Sequence, residues 1–212
     1  PPPPPPPREA CIPRDSSRAD APQIAIIVDV TTSMVSGGGG NGIGVVQRHV
    51  PTALNALRVP TVHLHWYNQC TRIETRRVPP AQASSIVRGL NPRALAEGVT
   101  QGEPATLAIS RAVEAFTRGP DGKATGRIVL FTDTSDTCPG NAPLHDACAL
   151  GETIAREHPQ VRVNLVALGP VAMNLACVAN ATGGKVWQPG QTNPRELVAA
   201  LTEATQLPIC PD

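Results

Sequence analysis

The feature that most constrains the fold is an almost uninterrupted apolar run, QIAIIVDV, at residues 23–30. A strand with one face in water alternates apolar and polar residues, but this run is apolar on both faces, which is typical of a parallel strand covered on both sides. The segments RIVLFT at 127–132 and VRVNLVAL at 161–168 are similar. These three runs predict a central sheet buried between two layers of helices.

The rest of the chain alternates strand-like and helix-like segments. Strands are predicted at 23–30, 59–66, 72–78, 127–132, 161–168 and 185–187, with a tight link at 67–70. Helices are predicted at 44–57, 80–90, 104–117, 142–157, 171–181 and 194–205, with Asn193 as a cap and a glycine pair at 183–184 as a stop. This alternation predicts a doubly wound α/β fold, with a mostly parallel sheet, helices on both faces and ligands at the carboxyl ends of the strands.

Seven of the 24 prolines open the chain. Such a run forms neither helix nor sheet and adopts a stiff polyproline II conformation. We expect a proline-rich linker over residues 1–22, one domain over 23–207 and a short tail over 208–212. The abrupt proline start indicates a cut within a longer precursor, whose export signal or lipid anchor would lie upstream.

Several functional classes lack support in the sequence. The formal net charge is +1 and no basic stripe interleaves with aromatic residues, which argues against nucleic-acid binding. There is no apolar run of 18 residues for a membrane span, no G-x-S-x-G nucleophile motif and no phosphate-binding loop. His63 and His65 share one face of a predicted strand, but no third ligand accompanies them, so we expect hydrogen-bonded side chains rather than a metal site.

Six cysteines, an even number, show no C-x-x-C pair and no zinc-type spacing with histidine. Disulfides are the favoured interpretation, with buried free thiols as the alternative. Disulfides would place the domain outside the cytoplasm, in the periplasm, outer membrane or cell surface, and the richness in proline, alanine and arginine indicates a bacterial source. One pair flanks a short segment rich in Pro, Gly and Asn, and another stands at the two ends of the domain. The predicted pairs are therefore Cys138–Cys148, Cys11–Cys210 and, by elimination, Cys70–Cys177.

Carboxylate and hydroxyl side chains follow two of the buried runs. Asp29 lies near the end of the first run and is followed by Thr31 and Ser33, while Asp133 directly follows RIVLFT, beside Thr132. If both strands are central and parallel, their carboxyl ends meet at one edge of the sheet. Hard oxygen ligands of this kind suit Mg²⁺ or Mn²⁺, and we expect Ca²⁺ less.

These motifs resemble the von Willebrand factor A domain family over roughly residues 23–207. Asp29-x-Thr31-x-Ser33 is similar to the D-x-S-x-S motif of the metal-ion-dependent adhesion site of that family, and Asp133 matches its later aspartate. The stretches TDTSDTC (132–138) and ATGGKVW (181–187) resemble bacterial members. The resemblance implies one antiparallel edge strand and a module that binds protein or surface ligands without catalysis.

The sequence departs from this family at one position. The family supplies a threonine just before its third helix, where the register here places Glu103, in Gly102-Glu103-Pro104; Thr100, three residues earlier, could substitute. A threonine leaves a coordination position open for a partner carboxylate, whereas a glutamate fills it. Either Asp29, Thr31, Ser33, Glu103 and Asp133 hold a cation without adhesion-type chemistry, or no metal binds and the site is vestigial.

The sequence is compatible with three functions. The first is an exported binding or adhesion module with a degenerate cation site. The second is a rigid, metal-free structural domain of a cell-envelope protein. The third is a subunit working with ATP-driven machines, as intracellular relatives of the fold do, although six cysteines argue against a cytoplasmic setting.

Overall fold

The computed structural model describes residues 23–36, 41–57, 59–70, 72–91, 103–136, 138, 146–188, 199 and 202–204. The predicted linker, the tail and most of the predicted helix at 194–205 with its cap lie outside these residues. Ala199 and residues 202–204, which are described, are helical. None of the described helices is long and apolar enough to cross a membrane.

Six strands form one sheet: β1 (Gln23–Asp29), β2 (Val62–Gln69), β3 (Arg72–Val78), β4 (Thr125–Thr132), β5 (Gln160–Ala167) and β6 (Val186–Trp187). Their order is β3-β2-β1-β4-β5-β6. Among the described strands β3 alone is antiparallel to its neighbour, and the others pair in parallel. The predicted doubly wound sheet with one antiparallel edge strand is therefore confirmed.

The helices are α1 (Ser33–Ser36), α2 (Gly42–Ala56), α3 (Pro80–Gly89), α4 (Ala105–Ala115), α5 (Ala147–Glu157) and α6 (Ala176–Ala181), with a 3-10 helix at Pro170–Leu175. Helices α2 and α3 pack on one face of the sheet, and α4, α5 and α6 pack on the other. The boundaries of α3 and β3 lie within a residue of those predicted.

Strand β1 shows why the sheet is buried on both faces. Ile24, Ile26 and Val28 contact the α2 side, while Ala25 and Ile27 contact the α4 side, and all five are fully buried. Each buried valine or isoleucine side chain contributes about 1.5–3 kcal/mol relative to exposure. The apolar run therefore accounts for the central position of β1 in the sheet. The carboxyl ends of the parallel strands lie at one edge of the sheet, here called the carboxyl edge.

Two predicted elements differ in the structure. The predicted link at 67–70 is largely strand, because Tyr67 pairs in register with Asp29 and its carbonyl accepts the Val30 amide. The predicted helix at 171–181 begins instead as a 3-10 helix. In that geometry residues three apart share one side, which buries Ala172 and Leu175 together. The helix stop is confirmed, since Gly183 adopts the left-handed φ of 68°.

Two disulfides are present among the described residues, which confirms the expectation of disulfides. They join Cys70 to Cys138 and Cys148 to Cys177, so the predicted pairs Cys138–Cys148 and Cys70–Cys177 are wrong. The predicted partners Cys11 and Cys210 lie outside the described residues.

The pairing follows from the topology. Strands β2 and β4 flank β1, so their carboxyl ends reach the same edge and bring Cys70 and Cys138 to a Cα separation of 5.4 Å. Cys148 lies in α5, which packs tightly on α6 at Gly151 and so faces Cys177 at a Cα separation of 5.1 Å. Short separation along the chain was a poor guide, because Cys138 and Cys148 belong to different layers.

Candidate cation site at the carboxyl edge

Asp29 organises the turn at the end of β1. Its side chain is fully buried, and Oδ1 accepts hydrogen bonds from the Thr31 amide (2.9 Å) and the Thr31 hydroxyl (2.6 Å). Oδ2 accepts a 2.6 Å hydrogen bond from the hydroxyl of Thr132 at the end of β4. Both carboxylate oxygens therefore have partners within the protein, and Asp29 fixes the positions of the two threonine hydroxyls.

A network of oxygens extends from Thr31 towards solvent. Thr31 Oγ1 lies 2.9 Å from Ser33 Oγ, and Ser33 Oγ donates to Asp133 Oδ1 at 2.9 Å. Glu103 Oε1 lies 3.2 Å from Ser33 Oγ and 3.4 Å from Thr31 Oγ1. The structure thus brings together the five residues singled out in the sequence, with Glu103 at the position that the register indicated.

This network contains too few hydrogens for its contacts. Two hydroxyl hydrogens, one on Thr31 and one on Ser33, serve five oxygen–oxygen contacts. Each hydroxyl has one hydrogen and an ionised carboxylate has none. At least three contacts therefore have no hydrogen of their own, a shortage that a cation or an added proton would relieve.

The pKa values show that both aspartates hold a proton more tightly than an exposed aspartate does. Burial raises the pKa of Asp29 to about 7, opposed by hydrogen bonds from Thr132 and Thr31 and assisted by the charge of Glu103. Burial also raises the pKa of Asp133, again with a contribution from Glu103. The site therefore favours species that bring positive charge.

Asp136 holds the first turn of α4, the helix that begins two residues after Glu103. Its Oδ2 accepts a 3.0 Å hydrogen bond from the Thr106 amide and a second from the Thr106 hydroxyl, in the first turn of α4. Its Oδ1 accepts from the Cys138 amide at 3.3 Å. Sequence reasoning missed this capping role, although Asp136 belongs to the TDTSDTC stretch that was singled out.

Tyr67 is a second residue that sequence reasoning missed. It lies opposite Asp29 on β2 and is 1 % exposed. Burial, followed by the charge of Asp29, raises its pKa well above the usual range. A lone tyrosine in a strand pattern gives no sequence signal for such a position, which depends on the register with β1.

Other candidate ligands do not form a metal centre. No group of three or more His, Cys, Asp or Glu side chains in the described part of the chain is arranged to hold a metal ion. His65 Nδ1 lies 3.0 Å from Thr75 Oγ1 and His63 Nε2 lies 3.3 Å from Gln23 Oε1, so both histidines are hydrogen-bonded as expected. A cation at the carboxyl edge would thus need the hydroxyls as well as the carboxylates.

Comparison with known proteins agrees on the fold. An aerotolerance-related membrane protein from Bacteroides fragilis superposes with a TM-score of 0.63 at 15 % identity, over 87 % of this chain and 98 % of that one. The SpRpn10 VWA domain gives a TM-score of 0.59 at 11 % identity, over 86 % and 94 %. Proximal thread matrix protein 1 from the mussel byssus, with a zinc-occupied MIDAS motif, gives 0.57 at 15 % identity, over 87 % and 47 %. No family model and no curated protein sequence matches the chain.

The sheet order, the parallel strands and the oxygen cluster at the carboxyl edge define a doubly wound α/β domain of the kind that binds ligands at its strand ends. Within that class the chain has the von Willebrand factor A fold, as the superpositions show.

Proposed function

We propose that this domain is a partner-binding module of the cell exterior or envelope that holds a divalent cation, Mg²⁺ or Mn²⁺, at the carboxyl edge. The observation that carries the proposal is the hydrogen shortage in the oxygen network, where two hydroxyls serve five oxygen–oxygen contacts. A hard divalent cation prefers such oxygens. The ligands would be drawn from Thr31, Ser33, Glu103 and Asp133, with Asp29 holding Thr31 in place.

Glu103 gives this site a character different from that of the resembled family. It stands where the family has a neutral threonine, and its Oε1 already lies against both hydroxyls. Glu103 and Asp133 together carry two negative charges, which balance a divalent cation without a carboxylate from a partner. The cation then shapes the surface and stabilises the fold, rather than bridging to an acidic ligand.

The setting outside the cytoplasm is supported by the cysteines. Two disulfides are formed among the described residues, and disulfides persist in oxidising compartments. We infer that residues 1–22 act as a spacer ahead of a domain at 23–207. The fold is shared with a pilus adhesin from Lactobacillus rhamnosus GG, at 12 % identity and a TM-score of 0.57, which supports binding rather than catalysis as the role of the module.

Titration with Mn²⁺, followed by electron paramagnetic resonance of the free ion, tests the site. The wild type is expected to bind one Mn²⁺, and Ser33→Ala to weaken binding by about tenfold or more, because it removes a hydroxyl that contacts both Glu103 and Asp133. Ser85→Ala is the matched control, since its exposed hydroxyl donates to the Ala81 carbonyl within α3. Equal Mn²⁺ affinity in Ser33→Ala and Ser85→Ala would contradict the proposed cation site. Asp29→Ala is a poorer test, because it strips a buried group of three hydrogen bonds.

The role of Glu103 has its own test. In Glu103→Thr the family-type hydroxyl replaces the carboxylate, so we expect weaker Mn²⁺ binding that added acetate strengthens. Acetate should leave the wild type unchanged, because Glu103 occupies the position that acetate would take. Acetate enhancement in the wild type would show that the position is open.

A metal-free structural domain is the second candidate. It is favoured by the hydroxyls of Thr31 and Ser33, which already bridge the carboxylates, and by the raised pKa of Asp29, which lets a proton take the place of a cation. In that case the wild type binds no Mn²⁺, and the disulfide-linked layers are the functional feature.

A further inference from the structure

We propose that the outer edge of β3 binds an extended, acidic segment of a partner protein, which adds to the sheet as a further strand. This edge lies at the end of the sheet order, away from the oxygen network at the ends of β1 and β4. Binding of a strand at β3 therefore goes beyond the proposed function and does not depend on a bound cation.

The direction of the main chain in β3 follows from that in β2. The Tyr67 carbonyl accepts the Val30 amide, so the main-chain groups of Tyr67 point towards β1. Those of Trp66, one residue earlier, point the other way, towards Glu74, which is its partner in β3. Alternate residues of β3, in step with Glu74, therefore bond to β2, and the residues between them direct their main-chain groups away from the sheet.

The residues of β3 whose main chain points away from β2 are Ile73, Thr75 and Arg77. Because β3 is the last strand on this side of the sheet, their three amides and three carbonyls have no strand to pair with among the described residues. Thr75 and Arg77 are also exposed. An open strand edge of this kind is a template on which an extended segment of another chain forms main-chain hydrogen bonds.

The charges of β3 favour an acidic segment. The strand contains three arginines and one glutamate, and Arg72 forms an ion pair with Glu74 at 2.5 Å. Arg76 and Arg77 are exposed and form no ion pair within the part of the chain that the structure describes; Arg77 donates to the Thr61 hydroxyl. Consecutive strand residues lie on opposite faces, so two adjacent carboxylates of an added strand would each meet one arginine.

The elements that pack around β3 do not neutralise these arginines. Helices α2 and α3, on one face of the sheet, each contain one arginine and no carboxylate. On the other face, the carboxylate of α4, Glu114, pairs with Arg111. The pKa of His63 is lowered by burial and then by the charge of Arg77, which lies opposite it on β3. An acidic partner therefore gains favourable electrostatic interactions at this edge.

A second copy of this chain fits the edge less well. Two β3 strands paired with each other would bring together the three arginines of each copy and only one glutamate from each. Like charges on paired strands destabilise the pairing, and charged side chains on edge strands are a common means of preventing self-association. The arginines of β3 thus disfavour a second β3 strand and favour an acidic one.

Fluorescence anisotropy with labelled peptides tests the proposal on the full chain. The first peptide, Thr-Val-Glu-Glu-Val-Thr, reads the same in both directions and so suits a parallel or an antiparallel strand. The second has lysine in place of glutamate. The third is the first peptide with both glutamate amides N-methylated, which keeps the charge but removes a hydrogen-bond donor on each side of the strand. The wild type is expected to bind the first about tenfold or more tightly than either of the others, in EDTA and in Mn²⁺ alike.

Two comparisons of variants assign the binding to β3. The double variant Arg76→Gln/Arg77→Gln should weaken binding of the first peptide by about tenfold, whereas Arg111→Gln on α4 should not. Thr75→Pro and Thr75→Val both lose the hydroxyl that lies 3.0 Å from His65 Nδ1, but only proline removes the outward amide, which an edge strand tolerates. Thr75→Pro should therefore weaken binding by about tenfold relative to Thr75→Val.

Equal affinity for the first and third peptides would show that charge alone attracts the peptide and would overturn strand addition, as would equal binding by Thr75→Pro and Thr75→Val. A wild-type dimer that Thr75→Pro dissociates would assign the edge to a second copy and overturn the acidic partner. Peptide binding without Mn²⁺ binding would uphold strand addition and overturn the cation of the proposed function. Mn²⁺ binding without peptide binding would overturn strand addition and leave the cation standing.

Discussion

The hydroxyl of Thr132 donates a 2.6 Å hydrogen bond to Asp29 Oδ2 and so joins the ends of β4 and β1 across 103 positions of sequence. Both residues are fully buried, and without this bond Oδ2 of Asp29 would face the protein interior unpaired. The bond therefore links the two central strands at the point where the site is built.

Thr132→Val is expected to lower the free energy of unfolding by about 1–3 kcal/mol, the cost of leaving a buried acceptor unsatisfied. Urea unfolding measures it. The control is Thr125→Val at the opposite end of β4, where the hydroxyl donates to Gln160 near the surface and its loss should cost less than about 0.5 kcal/mol. Equal losses in the two variants would contradict this role of Thr132.

Asp136 and Asp146 cap two helices in similar ways but at different places. Asp136 accepts from the Thr106 amide in α4, beside Glu103, and Asp146 accepts from the Ala149 amide in α5 at 3.0 Å. Replacing either with alanine should cost about 0.5–2 kcal/mol of stability. Only Asp136→Ala should also weaken Mn²⁺ binding, because it releases the helix turn that positions Glu103. Equal Mn²⁺ affinity in the two variants would argue against that coupling.

His65 gives the domain an acid sensitivity. Burial, with a smaller contribution from His63, lowers the pKa of His65 to about 4 from 6.5. Between pH 6.5 and 4, His65 binds a proton in the unfolded chain but not in the folded chain. The free energy of unfolding therefore falls with pH in this range, by up to about 1.4 kcal/mol per pH unit.

The difference between wild type and His65→Gln isolates this effect. The raised pKa of Asp29 acts in the opposite direction, because the folded state then binds a proton first between pH 7 and 4 and gains stability as the pH falls. Urea unfolding at several pH values should show a clearly shallower acid loss in His65→Gln and a smaller change in His49→Gln on α2, where the ring is less buried and its pKa is also lowered by burial. If the free energies of unfolding of wild type and His65→Gln change equally with pH, His65 does not cause the acid sensitivity.

The two disulfides should contribute similar stability but different function. They close segments with separations of 68 and 29 residues, and loop-closure entropy assigns each about 4 kcal/mol. Removing Cys70–Cys138 with a double alanine variant should also weaken Mn²⁺ binding, since Cys138 follows Asp136 by two residues. Removing Cys148–Cys177 should leave Mn²⁺ binding intact. A loss of Mn²⁺ affinity only in the variant without Cys148–Cys177 would contradict the link between Cys70–Cys138 and the cation site.

The sequence predicted what depends on local pattern. The apolar run of β1 indicated a strand covered on both faces, and the spacing of Asp29, Thr31 and Ser33 after it, with Glu103 before α4, indicated which side chains meet. The carboxyl ends of parallel strands lie at one edge of the sheet. The positions of these residues along the chain were therefore enough to predict that their side chains lie close together.

What the sequence did not predict depends on contacts between distant elements. The disulfide partners depend on which strands are neighbours and how α5 packs on α6, and the position of the Tyr67 hydroxyl near Asp29 depends on the register of β2 against β1. The 3-10 turn at Pro170–Leu175 depends on burying two residues three apart beside the sheet. None of these leaves a periodic signal in the sequence.

Thermal unfolding of the oxidised wild type and of Glu103→Gln in EDTA, Mg²⁺, Mn²⁺ and Ca²⁺ shows whether Glu103 completes a cation site. A cation at 100 times its dissociation constant adds about 2.7 kcal/mol, so Mg²⁺ or Mn²⁺ should raise the wild-type melting temperature by several degrees. Glu103→Gln should lose most of this rise, whereas Glu114→Gln, exposed on α4 and paired with Arg111, should keep it. No rise in the wild type with any cation, or the same rise in Glu103→Gln, would contradict the claim that Glu103 completes a cation site.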